Sequence, residues 1–146
     1  MLTQKGCLVR QDRLRLRLSE AQIDAIALVH PLEIYYFTGV LFPEIFPAQP
    51  ALLWIEADGD SWLAAHTDDG DPFVDECCTY ECSLGGTLNS YMRSQLSELV
   101  KERLQARSTK AARVGYQREF MPHVLVGCID SGLRGTPEWI AMDEDL

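Results

Sequence analysis

The run Ile23-Asp24-Ala25-Ile26-Ala27-Leu28-Val29 constrains this chain more than any other stretch. Apart from Asp24 it is continuously apolar. A strand with one wet face alternates polar and apolar residues. A run without alternation predicts a strand buried on both faces, and so a mixed or parallel sheet lying under helices. His30-Pro31 ends the run. A length of 146 residues is enough for one domain with a sizeable core.

The neighbouring segments fit that layout. Thr3 is a candidate N-cap for a first helix over about residues 4 to 20, with Cys7, Leu14, Leu18 and Ala21 on one stripe. Val9 and Leu16 fall off the stripe, which predicts a helix covered on two sides. Residues 51 to 56 and 61 to 66 read as two strands around Ala57-Asp58-Gly59-Asp60. Asp-Gly between apolar runs signals a hairpin, because glycine accepts the positive φ of a tight turn. Trp54 and Trp62 are then placed to pack across the pair. Phe73 to Ser83 reads as a further strand, broken at Leu84-Gly85-Gly86. Thr87 caps a helix over about residues 88 to 106, where Leu88, Tyr91, Met92, Leu96, Leu99, Val100 and Leu104 recur at helical spacing. Ala111 to Tyr116 reads as a strand, Pro122 to Asp130 as a short helix ended by Ser131-Gly132, and Glu138 to Met142 as a strand. The whole predicts an α/β fold with one mixed sheet flanked by helices.

Charge narrows the partners. The net charge of -9 argues against nucleic acid, whose backbone would be repelled. Lys5, Arg10, Arg13, Arg15 and Arg17 point in several directions on a helix and read as a solvated face. No apolar run is long enough to span a membrane, and the first residues lack an apolar signal core, so the cytoplasm is the expected location. The five cysteines are an odd number, which favours free thiols. Cys77, Cys78 and Cys82 lack the paired spacing of a structural zinc site, and in a strand Cys77 points away from the other two. They read as strand thiols, with a thiol- or metal-dependent role as the alternative.

Recognisable catalytic patterns are not evident: no H-E-x-x-H, G-x-S-x-G, P-loop or dinucleotide fingerprint occurs. The acidic turn at residues 67 to 72 has Thr79 where a calcium loop needs its glutamate. Gly85-Gly86 precedes a helix without a nearby cation. Asp24, Asp58 and Asp60 could be imagined as a metal-binding acid set, but Asp58 and Asp60 sit in the hairpin turn, where Asp is expected for turn reasons alone. No catalytic residue and no metal ligand is assigned.

What remains is Ile34-Tyr35-Tyr36-Phe37-Thr38-Gly39 and the loop after it. The segment is apolar and β-prone and stops at a glycine. Phe42, Pro43, Phe46, Pro47 and Pro50 make the loop stiff and apolar. Such a loop either packs on its own domain or presents a surface to something else.

Three features together resemble the creatinase/prolidase/aminopeptidase P group, the pita-bread metallopeptidases. They are the arginine-rich segment Arg10 to Leu18, the strand beginning Ile23-Asp24-Ala25, and the Ile34 to Gly39 motif. Arg113-Val114-Gly115-Tyr116 fits the same comparison. Gln22 departs from it, standing where a glycine is common. The resemblance implies a ribonuclease-H-like, non-catalytic N-terminal domain spanning residues 1–146. It implies a catalytic domain after Leu146 holding two divalent metals, manganese among the candidates, with no cofactor in this chain. It implies a homo-oligomer, a dimer in the first instance, and a parent enzyme of Xaa-Pro dipeptidase or aminopeptidase type acting on peptides. On that basis Phe42 and Phe46 are expected at a subunit interface near a partner's substrate pocket, with Tyr36, Thr38 and Gly39 fixing the loop base. A free-standing interaction module of the same fold is the alternative.

Overall fold

The computed structural model describes residues 2–41, 50–67, 70–80, 90–144 and 146, with backbone alone for 90 and 91. Its elements are α1 (Gln4–Glu20), β1 (Ala25–Leu28), α2 (Pro31–Thr38), β2 (Leu52–Glu56), β3 (Ser61–Ala65), β4 (Glu76–Thr79), α3 (Ser90–Ala106), β5 (Arg113–Tyr116), α4 (His123–Gly132) and β6 (Glu138–Ala141). The strands form one mixed sheet in the order β4-β3-β2-β1-β5-β6. β1 is antiparallel to β2 and parallel to β5. All four of its residues are buried, as continuous apolarity predicts.

Helices cover both faces of the sheet. Ile26 and Leu28 point from β1 towards a core shared with Leu14 and Leu18 of α1 and Ile34 and Phe37 of α2. Ala25 and Ala27 point the other way, into a core with Met92, Leu96, Val100 and Leu104 of α3 and Leu125 and Ile129 of α4. The period of two along the strand thus divides the molecule into two apolar layers. Ala27 pairs with Trp54, and the small side chain leaves room for the buried indole. Trp54 and Trp62 stack across β2 and β3 with ring centroids 5.9 Å apart.

Asp24, the one polar residue in the central run, has a structural task. Its carboxylate accepts from the backbone N–H of Ala112 at 2.7 Å and of Arg113 at 2.9 Å, joining the start of β1 to the start of β5. Asp60 pairs with Arg107, the residue just after α3.

Four expectations need correction. Ile34 to Gly39 is helical, not extended. Pro31 occupies the first turn, where its missing N–H is no loss, and Gly39 ends the helix in the left-handed region at φ 79. Burial of Ile34, Phe37 and Thr38 on one side outweighs their β propensity. Second, α1 is covered on one side only: Val9 is 40% and Leu16 61% exposed, while Gln11 completes the buried stripe. Third, Gly59 is not among the positive-φ residues. The hairpin itself forms, β2 pairing antiparallel with β3 across the four-residue loop 57–60, which does not need a positive φ at the glycine. Fourth, the arginines of α1 are not simply solvated. Arg10 caps α2, and Arg15 reaches Asp12, the Glu56 carbonyl and Asp75.

Candidate functional site

The described part of the candidate site is the C-terminal end of α2. A helix leaves its last carbonyls without intrahelical partners. The Gly39 N–H donates to the Tyr35 carbonyl at 2.8 Å, closing the last helical turn. The next three carbonyls each receive a donor from elsewhere. Arg10 Nε donates to Tyr36 O at 2.7 Å, Gln11 Nε2 to Phe37 O at 2.9 Å, and the Phe73 N–H to Thr38 O at 2.9 Å. The end of α2 is therefore held by two side chains of α1 and by the segment that leads into β4.

Tyr36 and Thr38 lie on different sides of this helix end. Tyr36 is 49% exposed, with the Arg10 guanidinium 4.5 Å from its ring centre and the Phe37 ring edge-on at 5.1 Å. Thr38 is fully buried. Its hydroxyl donates to Ile34 O at 2.7 Å and accepts from the Val40 N–H at 3.3 Å. Gly39 has no room for a side chain: a β-carbon there would sit 2.8 Å from Phe73 Cε2. Phe42 and Phe46 lie outside the described residues. Leu41, the last described residue before them, is 53% exposed.

Beside Tyr36 runs a groove of about 130 Å³ lined by Arg10, Arg13, Arg17, Tyr36, Phe37, Leu14 and Leu146. It concentrates positive charge on a chain that is acidic as a whole.

Cys77 and Cys78 sit half-buried on adjacent positions of β4 and face opposite sides of the sheet. Cys77 packs against the α1–α2 core, and Cys78 Sγ lies 3.8 Å from Glu76. Burial pushes the Cys78 thiol up, the reverse of what an attacking thiol needs. Cys82 is outside the described residues. Among the described residues no three or more His, Cys, Asp and Glu side chains gather in a way that could hold a metal ion. Among them, too, no helix is long and apolar enough to cross a membrane.

The family profile of the creatinase/prolidase N-terminal domain matches residues 10–145. The chain belongs to this family. The fold agrees with solved creatinase/prolidase N-terminal domains. One, from an Xaa-Pro dipeptidase of Streptococcus pyogenes, has a TM-score of 0.67 at 14% identity, over 94% of this chain and 95% of that one. The N-terminal domain of an Xaa-Pro dipeptidase from Lactobacillus brevis gives 0.67 at 10% identity, over 93% and 96%. An Xaa-Pro dipeptidase from Bacillus anthracis gives 0.61 at 13% identity, over 92% of this chain and 33% of that chain. No curated protein matches. Within this creatinase/prolidase N-terminal domain, sequence reasoning missed three residues at the helix end. Arg10 and Phe73 carry no local signal, because their contacts span many residues. Gln11 carries one: it is a polar residue on an otherwise apolar stripe.

Proposed function

We propose that this chain is the non-catalytic domain of a larger Xaa-Pro metallopeptidase, acting on peptides through a catalytic domain that follows it. In this reading the domain supports oligomer contacts, dimeric in the first instance. It also lends the loop after Gly39 to the wall of a partner subunit's substrate pocket. Two divalent metals belong to the catalytic domain, and the cytoplasm is the place of action. The observation that carries the reading is the family match over residues 10–145. Similarity to a domain-sized third of the Bacillus anthracis dipeptidase supports it further.

The chemistry of the helix end is compatible with that role. A wall residue acts by excluding water and limiting substrate length, not by making bonds. Such a wall needs a rigid foundation, and three tertiary hydrogen bonds at the end of α2 supply one. Tyr36, Thr38 and Gly39 belong to the foundation, and Phe42 and Phe46 to the wall.

Deleting residues 41 to 48 in the protein carrying both domains tests the reading. The expected result is a changed preference for peptide length or a changed oligomeric state. Wild-type behaviour in both removes the proposal. The isolated chain is expected to show no Xaa-Pro hydrolysis with added manganese, and robust turnover would also overturn it.

A further inference from the structure

Gln11 is fully buried and carries an arrangement that helix packing alone does not call for. Its amide nitrogen has two hydrogens, and both are used. One goes to Phe37 O at 2.9 Å, the other to Phe73 O at 2.7 Å. Since both partners are carbonyls, the nitrogen and not the oxygen must face them. The Phe73 N–H in turn donates to Thr38 O at 2.9 Å. Gln11, Phe37, Thr38 and Phe73 therefore form a closed hydrogen-bonded ring. It joins α1, the end of α2 and the segment before β4, which are distant in sequence.

The ring is tight on its other sides too. Phe73 fills the space beside Gly39. A β-carbon on Gly70 would meet the Val40 methyl groups at 3.4 Å, so the two segments also run close together beside Val40. Meanwhile Gln11 Oε1 is buried and finds no hydrogen-bond partner among the described residues. A buried acceptor left unpaired is a cost that methionine or leucine at this place would not carry. The amide is thus better matched to holding two carbonyls at a fixed spacing than to filling the core.

We propose that Gln11 is a positioning residue that locks the root of the loop at Thr38 to Leu41 and the segment Gly70 to Phe73 into one unit. Any surface built on the first segment is then built on the second as well. The assignment of that surface to substrate rests on the function proposed above. The locking itself does not.

Two measurements test it. In wild-type protein, native-state hydrogen exchange in low urea should give the Gly39 and Phe73 amides the same opening rate and denaturant slope. Independent opening of the two overturns the proposal. In Gln11→Met, which keeps the length and removes both donors, exchange at 38–41 and 70–74 should rise at least tenfold together, while β1 and α3 change less than twofold. A response in one segment alone, or a uniform rise everywhere, overturns it. In the protein carrying both domains, Gln11→Met should shift peptide-length preference in the same direction as deletion of 41 to 48. If the deletion acts and Gln11→Met does not, the positioning role fails. If the two segments exchange as one and neither change affects substrate choice, the pocket-wall reading fails and the locking stands.

Discussion

The ring of Phe73 fills the space that a β-carbon on Gly39 would occupy, with Cε2 at 2.8 Å from that point. Gly39 also holds φ 79, where L side chains are disfavoured. Gly39→Ala is therefore expected to destabilise the chain by about 2 kcal/mol, combining left-handed strain with displacement of the ring. Gly127→Ala is the control. It lies inside α4 with nothing within 4 Å of the added carbon, and should be neutral or stabilising by about 0.5 kcal/mol. Urea midpoints of the two variants decide the matter.

Two helices end on residues that the local backbone does not favour. After α1, Gln22 has φ 55, with its N–H on Ser19 O and the Ile23 N–H on Leu18 O. After α3, Ser108 has φ 51, with its N–H on Gln105 O and the Thr109 N–H on Leu104 O. Both are Schellman closures whose left-handed position usually carries glycine. Gln22→Gly and Ser108→Gly are each expected to raise stability by about 0.5–1 kcal/mol, less the added freedom of the unfolded chain. Thermal midpoints that fall in both variants would contradict this reading.

Arg10 fastens Tyr36 twice, through its backbone carbonyl and its ring. Arg10→Met keeps the stem and removes both contacts, and should cost about 1–2 kcal/mol. Arg10→Lys should recover less than half, because an ammonium lacks the planar fork that stacks and donates together. Denaturant titration gives the stabilities, and Tyr36 exposure to iodide quenching reports the local change.

Asp75 sets an acid-limb prediction. The Ser61 N–H, 2.7 Å from its carboxylate, is the main reason its pKa lies below the ordinary 3.8. The Ser61 hydroxyl and nearby Arg15 act the same way, and partial burial opposes them. A lowered folded-state pKa means that the unfolded chain takes up the proton first as pH falls. The stabilisation is thus present above pH 3.8 and is lost as pH drops through the folded value. Wild type and Asp75→Asn should differ in urea midpoint at pH 6 and converge towards pH 2.5. A constant gap would refute the assignment.

Most of the sheet was legible in the sequence because each strand stated its environment. Continuous apolarity in β1 matched a strand covered on both faces, and the paired tryptophans found each other across β2 and β3. α3 was legible through its stripe of Met92, Leu96, Val100 and Leu104. α2 was not, because eight residues give barely two turns of periodicity and Tyr, Phe, Ile and Thr all favour strands. The decisive signals were its punctuation, Pro31 at the start and Gly39 at the end. The helix-end contacts were illegible for another reason. Arg10 meets Tyr36 and Gln11 meets Phe73 only after the chain has closed, and no local window contains both partners.

The central place of β1 also shapes how the chain is made. Its partner on one side, β2, follows soon after, but Ala25 meets Val114 on the other side roughly ninety residues later, or on the order of 5–20 s of synthesis. Throughout that interval the side of β1 that β5 pairs with stays open. The nascent domain can close its sheet across β1 only after β5 has left the ribosome.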